Sequence, residues 1–206
     1  MPRPAFGVLA FLVLFASALF AQPAALSGET AQGPEEILSP LRSRVLLNGV
    51  WRFQPAAGPA EKTPVESAWG AMPVPGSWIP SSLPGLASRG AGAQWDGVGE
   101  NLARAWYERS IEIPASWAGR SVALDFRRLS TDASVTIDGV ACGEVRWPYG
   151  EVDISAAVTP GKRAVVRIHV LATADAGESL ARMGYAVEKS VKNKLASAGL
   201  TGEVWL

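Results

Sequence analysis

The sequence predicts an all-β chain, an antiparallel β-sandwich followed by a C-terminal helical segment, and three observations carry that expectation. Between Ala103 and Leu171, five short segments alternate apolar and polar residues, the mark of strands with one buried face. Turn signals separate them: Asp138-Gly139 supplies the positive φ angles of a tight hairpin, and Pro160-Gly161 fits the central positions of a type II turn. Beyond Leu171 the apolar residues change to a near-helical spacing.

The elements follow in order. Arg3 precedes an uncharged apolar stretch from Ala5 to Ala21, in which Ala16-Ser17-Ala18 and Ala21 suit signal-peptidase cleavage, so residues 1–21 read as a secretory signal. The alternative is an anchor that stays in the membrane, for which the stretch falls just short of the usual ~20-residue span. No cysteine follows the run, which excludes a lipoprotein anchor. Residues 22–44 are rich in Ala, Pro, Gly and Ser without periodicity and read as a flexible lead-in.

The folded region, 45–206, opens where Val45, Leu47, Trp51 and Phe53 alternate through Gly49 and predict a strand covering one edge of the sandwich. Pro55 to Pro64 is a loop by composition. From Trp69 to Trp78 the closely spaced Pro73 and Pro75 forbid a central strand but fit an extended edge segment. Ile79 to Asn101 is dominated by Gly, Ser and Pro, and a loop of that length in a compact domain is functional or disordered.

In the strands that follow, Val122, Leu124 and Phe126 oppose Ser121, Ala123, Asp125 and Arg127. Ala133, Val135 and Ile137 oppose Ser134 and Thr136, and Val166, Ile168 and Val170 oppose Arg167 and His169. On this alternation His169 faces solvent. Arg109 shares a face with Tyr107, Ile111 and Ile113, so either it bonds inside the sandwich or the strand is bulged. Cys142 reads as a small buried hydrophobe. Leu180, Val187, Val191 and Leu195, with Glu188 four residues before Lys192, predict a helix from about Glu178 to Ala198. Gly199 to Leu206 reads as the start of another strand.

Composition excludes several function classes. With 48% hydrophobic and 18% charged residues, the 206-residue chain can bury a real core. Nineteen basic residues balance nineteen acidic ones, leaving no global field to attract nucleic acid or an anionic membrane, and neither is expected as a partner once the signal is removed. One cysteine allows no internal disulfide, and one histidine allows no His-rich zinc cluster. A Ser-His-Asp triad would need His169, which sits mid-strand. No cofactor or metal is expected.

Four phrases then occur in a telling order. They are Leu47-Asn48-Gly49-Val50-Trp51-Arg52-Phe53; Val74-Pro75-Gly76-Ser77-Trp78; Trp106-Tyr107-Glu108-Arg109 running on through Ile113-Pro114-Ala115-Ser116-Trp117 to Val135-Thr136-Ile137-Asp138-Gly139 and Pro160-Gly161; and Gly199 to Leu206. The ordered set resembles the N-terminal sugar-binding domain of glycoside hydrolase family 2, the family of β-galactosidases, β-glucuronidases and β-mannosidases. The resemblance implies a jelly-roll, galactose-binding-like sandwich leading into an immunoglobulin-like domain and a (β/α)8 barrel. In that family, retaining hydrolysis of O-glycosidic bonds depends on two glutamates of the barrel, and a barrel alone needs roughly 250 residues. None of this chain's carboxylates is therefore expected to be catalytic. Together with the N-terminal signal, which implies export to the periplasm or the exterior, the resemblance implies a fragment of an exported enzyme of this family, with a free secreted carbohydrate-binding module as the alternative. Two stretches depart from the family pattern: Trp95 to Asn101, and 172–198.

Eight tryptophans offer flat platforms for sugar rings. Trp51, Trp78, Trp106, Trp117 and Trp205 lie within the family phrases, where packing is the simpler role. Trp95 and Trp147 instead sit in loops among polar neighbours, so the candidate carbohydrate contacts are Trp95, Asp96, Asn101 and Trp147. The competing role for the long loop is packing against the expected barrel.

Overall fold

The computed structural model describes residues 32–56, 64–65, 69–79, 102–172, 195 and 197–206. Eleven strands lie among them: β1 (Glu35–Ser39), β2 (Arg42–Val45), β3 (Gly49–Pro55), β4 (Gly70–Val74), β5 (Arg104–Glu112), β6 (Ala123–Phe126), β7 (Asp132–Ile137), β8 (Val140–Arg146), β9 (Gly150–Asp153), β10 (Arg163–Leu171) and β11 (Val204–Trp205). Every pairing is antiparallel. A six-stranded sheet runs β4-β3-β5-β10-β7-β8, a three-stranded sheet runs β11-β6-β9, and β1-β2 form a separate hairpin.

The alternation read from the sequence builds the core. Trp51 and Phe53 of β3, Met72 and Val74 of β4, Tyr107 and Ile111 of β5, and Val166, Ile168 and Val170 of β10 are buried on one side of the large sheet. Leu124 and Phe126 of β6, Val152 of β9 and Val204 of β11 meet them from the small sheet, giving one continuous apolar layer. This is the all-β sandwich that the sequence predicts. Asp138 and Gly139, with φ of 49° and 84°, close the β7–β8 hairpin. Gly161, φ 79°, closes the turn before β10, where Lys162 N donates to Thr159 O at 3.1 Å. β4 lies at the sheet edge, the position that tolerates its Pro73. The strand at 45–53 divides at Leu47-Asn48, and its second part, β3, is interior.

Other expectations are corrected. The end of the stretch read as a lead-in, from Glu35, forms with Val45 the β1–β2 hairpin, held by side chains distant in sequence. Glu35 accepts from Trp117 Nε1 at 2.7 Å and Ser116 Oγ at 3.1 Å, and Arg120 Nη1 donates to Ser43 Oγ at 3.0 Å. His169 is only 5% exposed, its ring centroid 4.6 Å from that of Trp106, because the outer face of the large sheet is covered at that point. Cys142 is half-buried, since Val135 pairs with Gly143 and Thr136 with Ala141, which leaves Cys142 as the extra residue of a bulge. The expected helix lies almost wholly outside the described residues; its described members Leu195, Ser197 and Ala198 are non-helical. Residues 1–21 also lie outside.

Arg109 resolves in favour of bonding inside the sandwich. The β5–β10 register is unbroken through it, and its Nη1 donates to Leu47 O at 2.7 Å and Asn48 O at 3.2 Å. Those carbonyls form the break between β2 and β3. The same break receives the C-terminal strand, as Leu47 N donates to Val204 O at 2.9 Å and Val204 N to Asn48 Oδ1 at 3.2 Å.

Candidate functional site

Of the four residues chosen from the sequence, Trp147 lies among the described residues, while Trp95, Asp96 and Asn101 lie outside them. Trp147 occupies the turn between β8 and β9, is 62% exposed, and is followed by Pro148 across a cis bond and by the exposed Tyr149. Its backbone is fixed: Trp147 N donates to Thr131 O at 2.6 Å, and Leu129 N donates to Pro148 O at 3.1 Å. The strand register sets Arg146 beside Asp132, Asp132 beside Leu171, and Leu171 beside Arg104. The aromatic turn therefore stands at the end of the sandwich where β10 finishes and β5 begins. A rigid backbone carrying exposed indole and phenol rings can stack on the apolar face of a sugar.

The outer face of the large sheet carries a second group of functional residue types. Register places Arg52 beside Glu108 and Glu108 beside Arg167, and both guanidinium groups bond the Glu108 carboxylate, one to each oxygen. Arg52 also lies 4.7 Å over the ring of buried Trp69. Gln54 exchanges two hydrogen bonds with the Val65 backbone, at 2.7 and 2.8 Å. Glu108 is thus clasped and buried, a structural position and not that of an acid or base facing substrate. Among the described residues, no group of three His, Cys, Asp or Glu side chains is placed to hold a metal ion. No helix among them is long and apolar enough to cross a membrane.

A third region escaped sequence reasoning. A groove of about 450 Å³ opens between the β1–β2 hairpin and the outward side of β6 and β11, lined among others by Leu38, Leu41, Arg44, Asp125 and Trp205. Arg44 lies 4.0 Å over the Trp205 ring and donates to Glu36 at 2.8 Å. Burial pushes the Asp125 carboxyl up from its ordinary range, against the pull of Arg127 at 2.8 Å. The alternation did put Ser121, Ala123, Asp125 and Arg127 on one face. What it could not show was that a hairpin would fold across that face.

The comparisons with known proteins agree with this architecture. No protein-family model matches the chain. The β-galactosidase BoGH2A of Bacteroides ovatus is 30% identical over 129 residues, covering 60% of this chain and 14% of that protein. The described fold is similar to solved β-glucuronidases from Ruminococcus gnavus (TM-score 0.60, 19% identity, 82% of this chain and 30% of that one) and Faecalibacterium prausnitzii (TM-score 0.56, 20% identity, 84% and 32%). A β-glucuronidase from Dictyoglomus thermophilum matches likewise, with a TM-score of 0.56 at 19% identity over 81% of this chain and 28% of that one. The chain spans a seventh of the curated relative and less than a third of these solved chains. By sequence likeness to a family 2 β-galactosidase, the chain resembles glycoside hydrolase family 2, and its β-sandwich fold is one also found within β-glucuronidases.

Proposed function

We propose that this chain is the N-terminal, non-catalytic sandwich domain of an exported family 2 glycoside hydrolase, where it scaffolds the catalytic barrel. The observation that carries the reading is the β-galactosidase likeness, which extends over most of this chain but only 14% of the relative. The catalytic glutamates then belong to the rest of the enzyme, and Glu108, locked between two arginines, is a strut of the scaffold. The test is hydrolysis of nitrophenyl β-galactoside and β-glucuronide by the complete gene product and by the 206-residue chain. Turnover by the first and none by the second is the expected result. Turnover by the 206-residue chain alone would overturn the assignment of a non-catalytic role.

A second reading, a carbohydrate-binding surface, is favoured by the exposed Trp147 and Tyr149 on their fixed turn. In it, Trp147 stacks on a sugar ring while Trp95, Asp96 and Asn101 supply further contacts. Calorimetry against galactosides, glucuronides and plant polysaccharides tests it, and the absence of heat with every ligand counts against it.

A further inference from the structure

Of the two edges of the six-stranded sheet, β4 carries Pro73, which has no N–H to offer a neighbour, while β8 carries no proline. The bulge at Cys142 disturbs only the first part of β8; from Gly143 to Arg146 its register with β7 is unbroken. Trp147 N donates to Thr131 O, and an antiparallel ladder bonds a given neighbour at every second residue, so Val145 and Gly143 also turn their N–H and C=O toward β7. Glu144 and Arg146 therefore turn theirs away from it, across the open edge.

The side chains along this edge are self-complementary. Charge of one sign keeps an edge strand single, because it repels a second copy. Glu144 and Arg146 are of opposite sign, both are exposed, and neither makes an ion pair among the described residues. A two-fold axis at Val145 sets each Glu144 opposite the other copy's Arg146, and these are the residues whose backbone groups point across the gap. Of the seven large apolar side chains exposed among the described residues, three flank this stretch: Val140 before it, Trp147 and Tyr149 after it. An antiparallel pairing lays the Val140 end of each copy against the aromatic end of the other, covering apolar surface that a single copy leaves in water.

We propose that β8 pairs with β8 of a second copy of this chain, antiparallel about Val145, and joins the two large sheets into one. Each Glu144–Arg146 pair exchanges both of its backbone hydrogen bonds and closes an ion pair on the outer face, and symmetry forms that pair twice. So short a pairing is weak and depends on concentration. It leaves the hydrolase reading untouched and covers the rings that the sugar-binding reading uses.

The experiment is sedimentation velocity of the 206-residue chain over a micromolar concentration series, repeated for Glu144→Arg and for the swap that combines Glu144→Arg with Arg146→Glu. Position 144 lies beside the neutral Ser134 in the register, so Glu144→Arg disturbs no ion pair within one copy. The expected result is a mass that rises from 21.7 kDa toward twice that value with concentration. Glu144→Arg sets like charges opposite each other at both pairs and should weaken association by at least ~tenfold, while the swap restores it. A monomer at every concentration, or a dimer indifferent to Glu144→Arg, would overturn the proposal. Arg146→Glu stands beside Asp132, so where the swapped chain does not fold, amide exchange of the unaltered chain decides. The Glu144 and Arg146 amides should be protected at high concentration and unprotected at low, and their exposure in an established dimer would overturn the pairing.

Discussion

Replacing Arg109 with Met tests how the sandwich holds its C-terminal strand. Arg109 is 1% exposed, yet its charge is spent on two backbone carbonyls, Leu47 O at 2.7 Å and Asn48 O at 3.2 Å. A hydrogen bond to a charged group contributes roughly 1.5–3 kcal/mol. Leu47 O keeps a second donor, Trp51 Nε1 at 2.8 Å, so its loss falls at the low end of that range. Removing the buried charge also lifts a desolvation cost. The net expectation for Arg109→Met is about 3 kcal/mol of lost stability. In a chain of this size that corresponds to a Tm lower by roughly 6–12 °C. Urea unfolding of the 206-residue chain followed by tryptophan fluorescence gives the free energy. Amide hydrogen exchange adds the local signature, because the 47–48 break also receives Val204, and exchange at Val204 should accelerate before that of β10. A loss below 1 kcal/mol, with Val204 exchange unchanged, would refute the assignment of Arg109 as the clamp.

Three further outcomes follow from single positions. Gly76→Ala places a Cβ 2.2 Å from Pro73 O, where backbone must move, so it should cost more than ~3 kcal/mol in urea unfolding or prevent recovery of folded protein. Trp147→Ala, at an exposed turn, should change stability by no more than ~0.5 kcal/mol, and a larger loss would show that the indole packs. The Glu35 carboxyl is held below its ordinary range chiefly by the Trp117 indole, with Ser43 and Ser116 assisting. A lowered folded pKa means that the hairpin anchor is complete above the ordinary carboxylate value and is lost as pH falls through the lower, folded value. The Trp117 indole N–H resonance should therefore hold constant from pH 7 to 5 and shift only in more acidic solution, and a shift centred near neutrality would contradict the contact.

The strands from Ala103 onward were legible because each one carries its own period and its own turn, as Ala133, Val135, Ile137 and Asp138-Gly139 show. Arg109 was legible as an anomaly, since a charge on an apolar face must bond or bulge. The β1–β2 hairpin was not, because Glu35 to Val45 has no clean alternation and its anchors come from Trp117 and Arg120, some eighty residues away. His169 misled for a related reason: alternation assigns a side of the sheet, while burial of that side depends on what lies across it. The same limit hid the groove, whose two walls are β6 and a hairpin that sequence reasoning left without structure. Trp147 was readable as a loop tryptophan, but the backbone bonds that fix its turn depend on Thr131 and Leu129 of a neighbouring connection.

The intact mass of the native protein, taken from its source by antibody capture against this domain, tests the central claim most directly. The account predicts a mass several times the 21.7 kDa of this chain, with β-glycoside hydrolysis in the captured material. A captured protein of 21.7 kDa or slightly less, without that activity, would contradict it.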